Sequence, residues 1–462
     1  MDGRRRRCTR TMRWRAAMAC AAVVLRMAMA WKGAPAWLKD RVDVSPPHGT
    51  LRRIKEGAAL WRLGQSPYLG SAWQGPPLLM VLLKPFLCLQ SEFEWAYVIP
   101  YLLADVIASN AIRKLAKHLG KQTETADGKE EEMTRTVSSG WALYDLKNGE
   151  EKTKHGTPDA YLSKEWLLAL WYLWNPCTLA TCLAGSVAGI ENACVLGALA
   201  AAVENNVPLA SFFVVSGTYL SLHPIIYALP VGVILARGTE KLLCKEEEGE
   251  VRKRTSRKAL TFVAWFLGWS LLFIGLSECV LSSGSHRPST HWMSQAYGFI
   301  LGVGDLSPNM GLYWYLLVEM FDEFRGLFTF ALQMGIVALL PVLFLRLYER
   351  PLFMACVQAV IISLFRPYPT FADQALYCTL LPLFSDQLSK MKHKVLLVNS
   401  FLWIDALGPI FWYLWTCLGV ANANFYYAVS MVYACVQILL LNDMIGATIE
   451  YQREIKVGKK DV

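Results

Sequence analysis

Polar side chains inside long apolar blocks are the residues of this sequence best placed to do chemistry or to bind a ligand. An amide or charged group at membrane depth is costly unless it faces a cavity, another polar group or a ligand. An interhelical hydrogen bond of about 1 kcal/mol is the structural alternative for each of them. These residues are Asn175, Glu191, Asn192, His223, Glu319, Asp373, Asn422 and Asn424.

Asn422 and Asn424 are the most informative pair, because they lie between the apolar blocks 395–420 and 424–447. A chain turn at a membrane surface can present their amides to a polar headgroup. The aromatic residues 425–427 would then pack on the apolar or sugar portion of the ligand. The alternative is helix capping, since Asn is a preferred N-cap residue.

The sequence contains little that could form a catalytic centre. Asp40 and Asp43 would be the acidic residues of a lipid-linked mannosyltransferase, where one carboxylate acts as a base toward the acceptor hydroxyl. However, Val-Ser-Pro-Pro follows Asp43, and no D-x-D or D-I pair is present. None of the twelve cysteines has a plausible histidine partner in a soluble domain, and His286 and His291 lack further metal ligands nearby. We therefore predict no catalytic residue, no metal and no cofactor.

Composition indicates that the solvent is a lipid bilayer. The 462 residues are 54% hydrophobic, with a mean hydropathy of +0.30, and apolar stretches recur from residue 76 almost to residue 447. A bilayer core of about 30 Å needs roughly 20 apolar helical residues, so we predict an all-α, polytopic transmembrane helical bundle with about 10–12 spans. The net charge of +9 arises from basic loops and the N-terminus. Such charges set topology and do not indicate nucleic-acid binding.

Both termini are predicted to be cytosolic. Seven arginines precede the apolar segment 16–31, as in a signal-anchor, although Arg26 weakens this span and a transit peptide is the alternative. Lys459 and Lys460 have the spacing of a dilysine signal that returns membrane proteins to the endoplasmic reticulum; a solvated basic tail is the alternative. Two cytosolic termini require an even number of crossings.

The charge and hydropathy pattern divides the chain into seven segments. They are a basic cytosolic N-terminus (1–15), the signal-anchor helix (16–31), a lumenal loop (32–75), membrane helices (76–112), a polar, partly disordered loop (113–165), a membrane helix bundle (166–447) and a cytosolic basic tail (448–462). Residues 76–112 cross once or twice, depending on whether Pro85 and Pro100 kink or break the helix. No two related halves carry matching intramembrane charges, which argues against a transporter.

Five ordered blocks carry a resemblance to a known family. They are residues 40–80, which include GQSPYLG and PPLLM, then LWNPCTL (173–179), YGFILGVGDLSPNMGLYWYLLVEMF (297–321), FRPYPTFADQALY (365–377) and ANANFYYAV (421–429). Together they resemble the multispanning U subunit of the glycosylphosphatidylinositol (GPI) transamidase, from about residue 37 to about residue 447. The first block is more distantly similar to GPI mannosyltransferases. The polar insert 120–160 and the arginine-rich N-terminus depart from the family pattern.

This resemblance implies a noncatalytic subunit in the endoplasmic reticulum membrane, with a GT-C-like bundle like that of GPI mannosyltransferases. The family's complex joins GPI to the C-terminus of precursor proteins, and its caspase-like catalytic subunit is a separate chain. The resemblance implies that Asn422 and Asn424 contact GPI in a cavity of the 166–447 bundle. Asn309, Trp314 and Glu319 are expected to support that cavity. The alternative is a multispanning lipid-linked mannosyltransferase of the GPI pathway.

Overall fold

The computed structural model describes residues 2–33, 36–39, 41–70, 72–90, 92–138, 163–237, 248–282 and 291–458. Over these residues the chain is helical and contains no strand, which confirms the all-α bundle. The helices are α1 (Asp2–Trp31), α2 (Ala36–Lys39), α3 (Leu51–Arg62), α4 (Pro77–Leu89), α5 (Ile99–Ser138), α6 (Lys164–Trp174), α7 (Pro176–Ala184), α8 (Val187–Val203), α9 (Val207–Ser221), α10 (Ala228–Arg237), α11 (Glu248–Ser282), α12 (His291–Met293), α13 (Phe299–Leu301), α14 (Tyr313–Val318), α15 (Asp322–Leu347), α16 (Pro351–Phe365), α17 (Phe371–Leu380), α18 (Ser385–Leu388), α19 (Lys394–Thr416) and α20 (Ala423–Gly458).

Within the described ranges, six helical segments are long and apolar enough to cross a bilayer. They are Arg13–Trp31, Glu94–Gly120, Ser256–Ser282, Asp322–Leu347, Lys394–Thr416 and Ala423–Glu454. A seventh arises if α6 and α7, which meet at a bend of 47°, form one span. Five shorter apolar helices of 10–17 residues complete the bundle. The predicted 10–12 crossings therefore depend on these short helices and stay a prediction.

The α4–α5 region contains a real break. The 13 residues of α4 extend for about 20 Å, which is less than the thickness of a bilayer core. A 3₁₀ turn, Glu94–Val98, then leads into α5, and Pro100 lies in the first turn of α5, where a missing N–H is tolerated. Only the second of these two blocks, Glu94–Gly120, is long enough to span by itself.

Helix boundaries differ from the predicted segments in two places. The first helix begins at Asp2 and includes the arginine run. The fifth continues to Ser138, so the first half of the predicted polar loop 113–165 is helical. Lysine, glutamate and alanine recur in this stretch, and all three are good helix formers. Residues 139–162 lie outside the described chain.

The centre of the bundle is α8, which is buried along almost its whole length between α5 and α9. Its sequence from Ala198 to Val203 is rich in alanine. Small side chains allow neighbouring helix backbones to approach closely, which is the usual packing mode in membranes. Glu191 and Asn192, near the start of α8, are thereby placed inside the protein.

Candidate ligand-binding site

The side chain of Asn422 caps α20. Its Oδ1 accepts hydrogen bonds from the backbone N–H groups of Asn424, at 3.1 Å, and Phe425, at 3.3 Å. These are two of the N–H groups that the first turn of a helix leaves without intrahelical partners. The capping alternative is therefore realised, and the exposed Asn422 side chain still lies at the bundle surface.

Asn424 belongs to an exposed cluster of amide and aromatic groups. Its Oδ1 accepts a hydrogen bond from the hydroxyl of Tyr315 on α14. The Tyr315 ring stacks on Tyr427, with centroids 4.4 Å apart and an interplanar angle of 26°. The chain turn before α20 therefore presents two amides beside a stacked pair of tyrosines. We call these four residues, Tyr315, Asn422, Asn424 and Tyr427, the amide–tyrosine surface.

Trp314 supports this surface from beneath. It is 3% exposed, and its ring stacks on Trp415 at 5.9 Å and meets Tyr427 edge-on at 5.9 Å. Tyr426 lies 6.0 Å away on a third side. Rings from α14, α19 and α20 surround Trp314, and its supporting role in ligand binding stays a prediction.

Asn309 stabilises the loop that precedes α14. It is fully buried, its Nδ2 donates to the carbonyl of Ser307 at 3.1 Å, and its Oδ1 accepts from the N–H of Gly311 at 2.7 Å. A β-carbon at Gly311 would lie 2.7 Å from that same Oδ1, so only glycine fits there. The carbonyl of Asn309 also accepts the Ser430 hydroxyl at 3.3 Å, which ties the loop to α20.

Glu319 is placed differently from Asn309 and Trp314. The helix α14 ends at Val318, and Glu319 follows it as an exposed residue whose N–H bonds the Tyr315 carbonyl at 3.0 Å. A residue in an apolar block need not be buried where that block forms only a short helix. The structure therefore gives Glu319 a surface position at the end of the helix that carries Trp314.

A buried ionic cluster joins three separate parts of the sequence. Arg366 donates to Glu191 at 3.2 and 3.3 Å and to Asp373 at 2.5 Å. Asp373 in turn caps α17, accepting from the N–H and the hydroxyl of Thr370 at 2.7 and 2.9 Å. The sequence marked both acids but missed Arg366, although a lone arginine that ends the apolar block of α16 was an available signal. One guanidinium thus pairs with two carboxylates inside the bundle and offsets part of their negative charge.

Three other marked residues have structural roles. Asn175 Oδ1 accepts from the Cys177 N–H at 2.8 Å and begins α7. Asn192 Nδ2 donates to the Ala372 carbonyl at 2.7 Å, and the buried His223 ring has Nδ1 at 3.0 Å from the Ser221 carbonyl. Among the described residues no group of three His, Cys, Asp or Glu side chains could hold a metal.

Asp43, the candidate base of the mannosyltransferase alternative, is enclosed. It is 2% exposed and ion-paired with Arg41, whose guanidinium lies 5.1 Å from the centroid of the Trp412 ring. The backbone carbonyl of Asp43 accepts a hydrogen bond from the Phe371 N–H at 2.8 Å. The cavity beside it measures about 10 Å³, which is at most the room for one water molecule. Asp40, Lys459, Lys460 and His286 lie outside the described residues.

The fold and these sites define a multi-pass helical membrane protein in which the buried charged groups described above form ion pairs or cap helices. A protein-family comparison then gives the narrower assignment. The model of the family "GPI transamidase subunit PIG-U" matches residues 20–433. The chain belongs to that family, which confirms the resemblance seen in the five sequence blocks.

Individual relatives agree with this assignment over nearly their whole length. The chain is 28% identical over 430 residues to the GPI-anchor transamidase component PIGU of Cricetulus griseus, covering 91% of this chain and 90% of the relative. The same figures hold for the Homo sapiens protein of that name. The GPI transamidase component GAB1 of Saccharomyces cerevisiae is 26% identical over 444 residues, or 95% of each chain.

Proposed function

We propose that this chain is a noncatalytic membrane subunit of a GPI transamidase complex. In this role it helps to bind the GPI lipid and to present it for attachment to the C-terminus of precursor proteins. The observation that carries the binding role is the amide–tyrosine surface, where Asn422 and Asn424 lie beside the stacked rings of Tyr315 and Tyr427.

The chemistry of this surface suits a glycan. Amide groups donate to and accept from sugar hydroxyls and phosphate oxygens, while aromatic faces pack on the apolar faces of sugar rings. The rings of Tyr315 and Tyr427 both pack against Trp314, so little side-chain freedom is lost when a ligand binds. Exposed apolar residues nearby, including Phe425 and Val420, offer a surface for acyl chains.

The enclosure of Asp43 supports the noncatalytic part of this proposal. Transfer of mannose would require a carboxylate open to the acceptor hydroxyl. Asp43 instead lies behind Arg41 and Trp412, beside a cavity of about 10 Å³. In this proposal the chemistry is supplied by a caspase-like subunit on another chain, and the protein is a multi-pass component of the endoplasmic reticulum membrane with both termini cytosolic.

The binding role is tested by Asn422→Ser with Asn424→Ala in cells that lack the endogenous subunit. Serine retains an N-cap oxygen, so the double change removes both amides while keeping α20 capped. We expect surface levels of GPI-anchored proteins to fall several-fold, measured by flow cytometry, while co-purification of the other subunits is unchanged. Tyr315→Phe is the matched control for loss of the Asn424 hydrogen bond with the ring stack retained. Full surface levels in the double variant would refute the site.

A further inference from the structure

A second cavity, of about 550 Å³, lies among the first helices of the chain and outside the 166–447 bundle. It is bounded by the end of α1, by α2, by α3 and by the α4–α5 turn. Its polar lining consists of Lys39, Lys55, Arg62, Gln90, Glu94 and Tyr97. Three cationic groups face one carboxylate, so the cavity carries a net positive charge. Its volume lies within the usual range for small-ligand sites.

The basic wall is built by α3. Lys55, Ala58 and Arg62 follow one another at helical spacings of three and four, so they share one face of this helix. The adjoining face is fixed, because a β-carbon at Gly57 would lie 2.8 Å from Met80 Cε and 2.9 Å from Trp73 Cβ. Such close packing holds α3 against α4 and keeps the wall rigid.

The other cations are anchored at the edges of the cavity. Lys39 Nζ lies 4.7 Å from the centroid of the Tyr97 ring, a cation–π contact with the opposite wall. The guanidinium of Arg62 reaches Cys88 Sγ at 3.5 Å, at the end of α4. These contacts place positive charge at two edges of the cavity.

Apolar residues complete the lining of the cavity, and exposed apolar side chains lie beside them. Ala30 and Leu87 line the cavity, and Trp31, Leu89 and Phe93 beside them are exposed. A soluble anion needs only the basic wall. A ligand with a charged head and apolar tails would contact both the basic wall and the apolar residues, because its tails can follow the exposed ends of α1 and α4.

We propose that this cavity binds the phosphodiester headgroup of an anionic membrane phospholipid, with Lys39, Lys55 and Arg62 contacting the phosphate and the acyl chains lying along α1 and α4. Gln90 and Glu94 are then placed to hydrogen-bond hydroxyl groups of the head. This site lies on other elements than the amide–tyrosine surface and does not depend on the proposed role in GPI attachment.

The test uses the complex purified in mild detergent, stripped of lipid and titrated with phosphatidylinositol or phosphatidylcholine, with retained lipid measured by native mass spectrometry. We expect preferential retention of phosphatidylinositol, reduced about tenfold in Lys55→Gln/Arg62→Gln, since cationic side chains near a membrane attract anionic lipids. Arg52→Gln/Lys114→Gln removes the same charge outside the cavity and should leave retention unchanged. Lys55→Glu, at an exposed position, provides a second test if the double variant misfolds.

Three results would overturn the proposal. Equal phosphatidylinositol retention by the wild type and the cavity variants would show that the cavity is not the site. If the wild type retained phosphatidylcholine as well as phosphatidylinositol, the negative charge of the lipid headgroup would not determine binding. Displacement of the lipid by millimolar inorganic phosphate would identify a site for a free anion. The Asn424→Ala variant should retain phosphatidylinositol like the wild type, which separates this result from failure of the proposed GPI site.

Discussion

Asn422 and Asn424 contribute differently to the protein, although only one residue separates them. Asn422 satisfies two backbone N–H groups of α20, whereas Asn424 accepts one hydroxyl from another helix. A simple double alanine substitution would combine a lost cap with a lost ligand contact. Replacement by residues that keep the cap is therefore needed to separate folding from binding.

At Asn422 we expect alanine to lower the free energy of unfolding by about 1 kcal/mol, the usual value of an N-cap, and serine or aspartate to restore it. Thermal unfolding of the purified protein in detergent measures this difference. Asn424→Ala, which leaves the cap intact, is the control. An unchanged unfolding temperature for Asn422→Ala would show that the two N–H groups find other partners.

At the scale of helices, Arg26 shows how a residue that weakens a span can become part of the packing. It lies 1% exposed in α1, with Nε 3.1 Å from the Asp105 carboxylate on α5 and an N–H donated to the Thr178 hydroxyl on α7 at 3.1 Å. The segment Arg13–Trp31, in which few other residues are buried, is thereby joined to two helices of the bundle.

Arg26→Met should destabilise the protein by about 3–5 kcal/mol, because it leaves the Asp105 carboxylate buried without a counter-charge. Arg26→Met combined with Asp105→Asn should recover much of this loss, since no unpaired charge remains. Equilibrium unfolding of the detergent-solubilised chain by denaturant measures both free-energy differences. Equal losses in the single and double variants would show that the Thr178 contact or simple packing dominates.

For the whole molecule, the remaining prediction concerns its localisation in the cell. Lys459→Ser with Lys460→Ser should let the isolated subunit reach later secretory compartments, as seen by fluorescence microscopy and by glycan processing of a tagged lumenal reporter. Arg453→Ser with Lys456→Ser is the matched control, because it removes equal charge from the same tail without changing the two terminal lysines. An unchanged distribution would show that Lys459 and Lys460 belong to a basic tail and are not a retrieval signal.

Local features of the sequence were enough to predict much of the helical architecture. Apolar blocks must be helical in a bilayer, because each backbone group then bonds within its own segment. The helix cap at Asn422 was predicted as one alternative, because capping involves residues only two or three positions apart; Asn175, before Pro176, offers the same local signal but was not predicted as a cap. The family resemblance likewise came from contiguous blocks. The helical continuation of α5 through polar residues was missed because hydropathy carries no information there.

The tertiary structure alone decided which polar groups meet. Arg26 and Asp105 are 79 residues apart, and Arg366 and Glu191 are 175 apart. Hydropathy marked Arg26 and Glu191 as costly but did not identify their partners, because pairing depends on helix order and rotation. The basic cavity has the same origin: Lys39, Lys55 and Arg62 come from two short helices, and only their packing against the α4–α5 turn brings their charges to one space.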